Sequence, residues 1–155
     1  MGFGKNNKYK AGSQQSKFCL TIYIQFINCF NMLNLLHKNL DVYKVALLLM
    51  KEVYHITKNF PVEERYGLIS QLRRASVSVC SNVAEGSARI SAREKKRFYE
   101  ISRASLVEID AQMDISIMLG YTSKEKIAEF EKYEESVFKM LSKLITKFSV
   151  INAKT

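Results

Sequence analysis

With 155 residues, one proline, six glycines and nearly half its side chains apolar, the chain can bury one core and hardly two, which excludes a multidomain machine. Cys19, Cys29 and Cys80 are odd in number, form no CxxC and join no histidine, so neither a disulfide framework nor a zinc site is indicated and a cytoplasmic location is expected. The formal charge of +9 invites a nucleic-acid partner, but residues 1–36 hold four lysines and no acid, while residues 37–155 hold twenty bases against fifteen acids, so the body is only mildly basic.

The chain opens on a stretch of different composition, since no acid precedes Asp41 and Phe18 to Leu36 carries no charge. Gln25, Asn28, Asn31 and Asn34 recur every three residues within it, which argues against a membrane helix because amides are poorly held in hydrocarbon. Residues 1–36 are read as a basic and apolar extension, of which 1–31 are either sequence translated upstream of a natural start at Met32 or a flexible extension, the alternative being an added amphipathic helix or tail. The folded domain is expected over 37–150, with a short tail over 151–155.

A first helix is expected from an N-cap at Asp41 to about Asn59, stopped by Pro61. Val42, Val45, Ala46, Leu49, Val53, Ile56 and Phe60 trace its core stripe, yet Tyr43, Leu47, Leu48, Met50 and Tyr54 leave apolar surface on other faces. Left in water, each would forgo about 1.5–3 kcal/mol of burial, so this helix is expected to serve self-association as well as the core.

The second helix, centred on Gln71 to Arg89, puts Leu68, Leu72, Ala75, Val79 and Val83 on one face. Ser76, Ser78, Ser81, Asn82 and Ala84 beside them admit close approach of a neighbour, and Gly86 is expected to close the helix in the left-handed conformation. Ser91-Ala-Arg-Glu94 has capping-box spacing and opens a third helix near Ala92, with Phe98, Ile101, Ser105, Ile109, Met113, Ser116 and Leu119 inward and Gly120 as its C-terminal cap. Thr122-Ser-Lys-Glu125 repeats the box and opens a fourth helix to about Phe148, with Ile127, Phe130, Val137, Leu141, Leu144 and Phe148 in the seam and Glu134 its one polar member. Four such helices with short connections predict an all-α, antiparallel up-and-down four-helix bundle.

Asp41-Val42-Tyr43, Val53-Tyr54 with Thr57 and Phe60-Pro61, Gln71-Leu72-Arg73-Arg74-Ala75, Asn82-Val83-Ala84-Glu85-Gly86 and Arg103-Ala104-Ser105-Leu106-Val107-Glu108 together resemble the four-helix-bundle proteins encoded in intervening sequences of bacterial 23S ribosomal RNA genes. The resemblance covers about residues 38–122; the fourth helix agrees only in pattern, and Tyr43 and Ala104 stand where the family usually has tryptophan and glycine. It implies a cytoplasmic bacterial bundle that assembles as a ring-like homo-pentamer without known catalytic activity. The accessory protein of diversity-generating retroelements, a relative that binds nucleic acid and a reverse transcriptase through a basic surface, makes an RNA-linked role an expectation by analogy.

Two basic groups are the candidate phosphate contacts: Arg89, Arg93, Lys95, Lys96 and Arg97 at the second turn, and Lys139, Lys143 and Lys147 in a row on the fourth helix, which Lys132 begins. Nearby glutamates at helical spacing make a solvated, self-neutralised face the competing account. Arg74, Asn82, Glu85, Arg103 and Glu108 are read as structural polar groups, with Glu85 and Glu108 bridging to Arg74 or Arg103 rather than forming a catalytic pair. Glu52 and His55 have the spacing of a di-iron motif, but no second copy exists. No catalytic, metal or cofactor site is expected, nor a membrane partner. The expected function is a non-enzymatic oligomeric module binding RNA or DNA; the alternative is a protein-interaction scaffold with no nucleic-acid role.

Overall fold

The chain divides into a unit over residues 1–34 and a unit over residues 35–155, and the computed structural model describes Leu33 and residues 35–152. The expectations placed on residues 1–31, on a start at Met32 and on Cys19 and Cys29 lie outside the described residues. In the second unit four α-helices follow in order: α1 Asp41–Ile56, α2 Leu68–Ala88, α3 Ala92–Met118 and α4 Ala128–Asn152. Short 3-10 turns occupy Leu36–Asn39, Thr57–Asn59, Val62–Tyr66 and Lys124–Ile127, and no strand occurs among the described residues.

The helices form a closed square in which α2 lies against α1 and α3, and α4 against the same two. Cross-helix pairs fix the direction of α2 and α3. Val79 meets Ser102, Ser78 meets Ser105, Arg74 meets Glu108 and Gln71 meets Gln112, so one helix descends as the other climbs. Arg73 meets Thr57 between α2 and the end of α1, and Arg103 meets Phe138 between α3 and α4. The arrangement is an antiparallel up-and-down bundle.

Burying one stripe from each helix fills the middle. Val42, Ala46, Leu49 and Val53 of α1 meet Leu72, Ala75, Val79 and Val83 of α2, Leu106, Ile109 and Met113 of α3, and Phe130, Val137 and Leu141 of α4. The α2–α3 seam is closer and more polar. The Ser102 hydroxyl donates to the Val79 carbonyl at 3.0 Å, and Ser78 and Ser105 share a bond of 2.9 Å, so short side chains satisfy one another where bulky ones would separate the helices. Cys80 is buried beside them, and burial pushes its thiol up to about 12, leaving it a small hydrophobe.

Several local expectations require correction. Gly86 does not end α2; it lies inside the helix, buried, where an added Cβ would stand 2.9 Å from the Tyr99 ring and 3.1 Å from Phe98. Close helix approach, not a left-handed turn, is its role. Asp41 is the first helical residue rather than the cap: Leu40 precedes α1 without a side-chain bond, and the Asp41 carboxylate pairs with Lys44 at 3.3 Å. Thr122 is buried, so the second box does not form, and α4 starts only at Ala128 after a 3-10 turn. On α3 the buried side is Tyr99, Ser102, Ser105, Leu106, Ile109, Gln112, Met113 and Ser116; of the expected stripe Phe98 is only half-buried, Ile101 is exposed, and Leu119 is exposed just past the end of the helix. The fourth helix passes Phe148 and the boundary expected at 150, reaching Asn152.

Candidate nucleic-acid interface

The two basic groups of the sequence converge on one end of the bundle. Antiparallel packing brings the α2–α3 turn beside the last turns of α4, and Phe148 marks the meeting point. Its ring lies 5.8 Å from that of Tyr99, with Lys95 Nζ at 6.0 Å and Lys147 Nζ at 5.8 Å. Lys143 and Lys147 rim an apolar groove of about 260 Å³ that opens on Leu40, Asp41 and Val42 at the start of α1.

Local chemistry builds the turn. The Ser91 hydroxyl accepts from the Glu94 amide at 3.2 Å and donates to the Glu94 carboxylate at 3.2 Å, which starts α3 after a link of three residues, 89–91. Lys95 reaches back, donating from Nζ to the Ser87 carbonyl at 3.2 Å, where cationic charge suits the last turn of α2.

The eight expected contacts are not equivalent. Arg89 is committed within the subunit, stacked at 4.7 Å on Phe98 and paired with Glu85. Lys96 pairs with Glu100 at 3.6 Å, and Lys139 pairs with Glu135. Arg93, Arg97 and Lys143 are exposed and make no ion pair among the described residues, and Lys147 is exposed with only its ring contact. These four are the cations free to meet phosphate.

The structural polar group divides similarly. Arg74 and Glu108 pair across α2 and α3 at 3.3 Å, and Gln112 donates to Glu108 at 3.2 Å and to Gln71 at 3.3 Å. The Asn82 amide donates to the Ser78 carbonyl at 2.8 Å and to its hydroxyl at 3.1 Å. Glu85 pairs with Arg89 instead of bridging to Arg74 or Arg103, and Arg103 lies 5.9 Å over Phe138.

Folding the chain up and down segregates charge along the bundle axis. The half holding the basic end, residues 35–46, 82–103 and 139–152, carries eleven Lys and Arg against four acids. The other half, residues 47–81 and 104–138, carries eight against eleven. Its most acidic feature is a groove of about 250 Å³ between α3 and α4, lined by Leu106, Val107, Asp110, Glu131, Glu134 and Phe138 among others. Burial, then Asp110, Glu131 and Asp114, pushes the Glu134 carboxyl up to about 8, and its Oε1 is buried without a hydrogen-bond partner.

The family model described as 23S rRNA-intervening sequence protein matches residues 38–143. The chain belongs to that family. The matched region spans α1, α2, α3 and α4 as far as Lys143, so it holds most of the basic end of this 23S rRNA-intervening sequence family member. Comparison with curated proteins finds no match. No helix among the described residues is long and apolar enough to cross a membrane, and no three His, Cys, Asp or Glu side chains among them are placed to hold a metal ion.

Proposed function

We propose that this chain is a non-catalytic, homo-oligomeric module that binds RNA or DNA by sequence-independent phosphate contacts at the basic end of the bundle. The convergence of Arg93, Arg97, Lys143 and Lys147 on that end is the observation that carries the reading. Four cations on one rigid surface release counterions when phosphates replace solvent, and repetition around an oligomer makes individually weak contacts multivalent. Half-buried and exposed apolar side chains on α1 and α2, among them Leu47, Met50, Tyr54 and Val77, support self-association, with five copies the number the family resemblance implies.

The test is fluorescence anisotropy with structured RNA and duplex DNA over a salt series. Arg93→Gln, Arg97→Gln and Lys143→Gln together should weaken binding of every sequence and reduce the salt slope by about three, roughly one per lost phosphate contact. Absence of binding at low salt, or an unchanged slope in the triple variant, would reject the proposal.

A further inference from the structure

Two opposite faces of the bundle carry complementary features at the same height along its axis. Cross-helix pairs set the levels. Arg103 meets both Phe138 on α4 and, through the adjacent Ser102, Val79 on α2, so Phe138 stands level with Val79. On the far side at that level, α1 and α2 enclose an apolar groove of about 300 Å³ lined by Leu47, Met50, Val77, Cys80 and Ser81 with others. Phe138 is 43% exposed on the α3–α4 face, where it lines the acidic groove with Arg103 at 5.9 Å over its ring.

One turn further toward the acidic half the charges match as well. Arg73 sits at the α1–α2 seam, held by its Nε–H on Thr57 Oγ1 at 2.9 Å and by the Tyr54 ring at 4.9 Å, which orients the guanidinium and leaves its remaining donors available. Arg74 meets Glu108, so Arg73 is level with Ile109 and Asp110 on α3, and Asp110 lines the groove that holds Glu131 and Glu134. None of these three carboxylates makes an ion pair among the described residues.

We propose that a second copy of the chain docks side by side, Phe138 of one copy filling the α1–α2 groove of the next, whose Arg73 meets Asp110, Glu131 and Glu134 of the first. This inference rests on the self-association half of the proposed function. Copies related by rotation about an axis parallel to the bundle keep their heights, so only features at equal height meet, and here they do. The two faces differ, so the contact is heterologous, repeating head to tail from copy to copy instead of forming a two-fold pair. Parallel copies also gather every basic end on one rim, where a polyanion would meet all of them.

Sedimentation equilibrium on the full chain tests the contact. Phe138→Lys and Asp110→Arg block one face and Arg73→Glu the other; each substitution falls on an exposed or half-buried position, and circular dichroism confirms the fold. Each variant alone should sediment as a single copy. An equimolar mixture of Phe138→Lys and Arg73→Glu should yield a two-copy species, because one intact face of each kind remains, and Arg73→Glu with Asp110→Arg in one chain should restore the mass of the unmodified oligomer. Folded variants at the mass of an oligomeric unmodified chain, or a mixture that stays monomeric, would overturn this contact and leave self-association standing. An unmodified chain that is itself monomeric would instead overturn self-association.

Discussion

At the scale of single residues, the α2–α3 seam shows how a sequence poor in large apolar groups still makes a tight contact. Gly86 presents bare backbone to a Tyr99 ring that is 3% exposed and backed by Phe148, so the ring has no space into which to retreat. Alanine there gains about 1 kcal/mol of helix propensity but suffers overpacking of about 1–3 kcal/mol. The second term is the larger. Gly86→Ala should therefore lower stability by about 1 kcal/mol, measured as a shift in urea midpoint at unchanged slope; a raised midpoint would show that the ring yields. The glycine itself was legible in the sequence, but its role was not, since a helix-ending glycine and a helix-contact glycine differ only in what a neighbouring helix brings against them.

At the scale of elements, the boundaries that could be read are those set by local geometry. Ser91 caps α3 as expected, its hydroxyl bonding both the amide and the carboxylate of Glu94, and Gly120, at φ of 74°, closes α3 as the Gly120 amide bonds the Ile117 carbonyl and the Tyr121 amide bonds the Ser116 carbonyl, both at 2.9 Å. Asp41 and Thr122 failed for tertiary reasons: Leu40 already provides the extended residue before α1, and burial of Thr122 removes its hydroxyl from the helix end. Ser91→Ala should cost about 1 kcal/mol in thermal unfolding while Ser91→Asp retains the cap, with faster amide exchange at Glu94 only in the alanine variant. Equal stability of all three would mean that packing alone fixes the turn. The candidate interface follows the same division. Its cations are individually visible, and their convergence follows from an up-and-down path, but the withdrawal of Arg89 by Phe98 and Glu85 depends on side-chain placement that no pattern records.

At the scale of the whole molecule, the proposed contact makes a prediction about pH. In a lone subunit Glu134 is the group with a shifted titration on the proposed contact; it is faced by Asp110 and Asp114 from α3 and by Glu131 on α4, with burial the largest cause. It keeps its proton up to about 8. Bringing Arg73 of the next copy against it favours the carboxylate, so its proton affinity falls on docking and each junction releases a proton as it forms. Linkage fixes the sign: where the separated state binds more protons, association strengthens as pH rises, by up to about tenfold per pH unit for one proton, and levels off above the pKa of the free subunit. His37, whose pKa burial and then Lys38 lower, lies before the start of α1 and away from this contact. Association measured by sedimentation should therefore rise between pH 6.5 and 8 in the unmodified chain and stay flat in Glu134→Gln. A pH dependence that survives Glu134→Gln would assign the proton to another group and separate Glu134 from the contact.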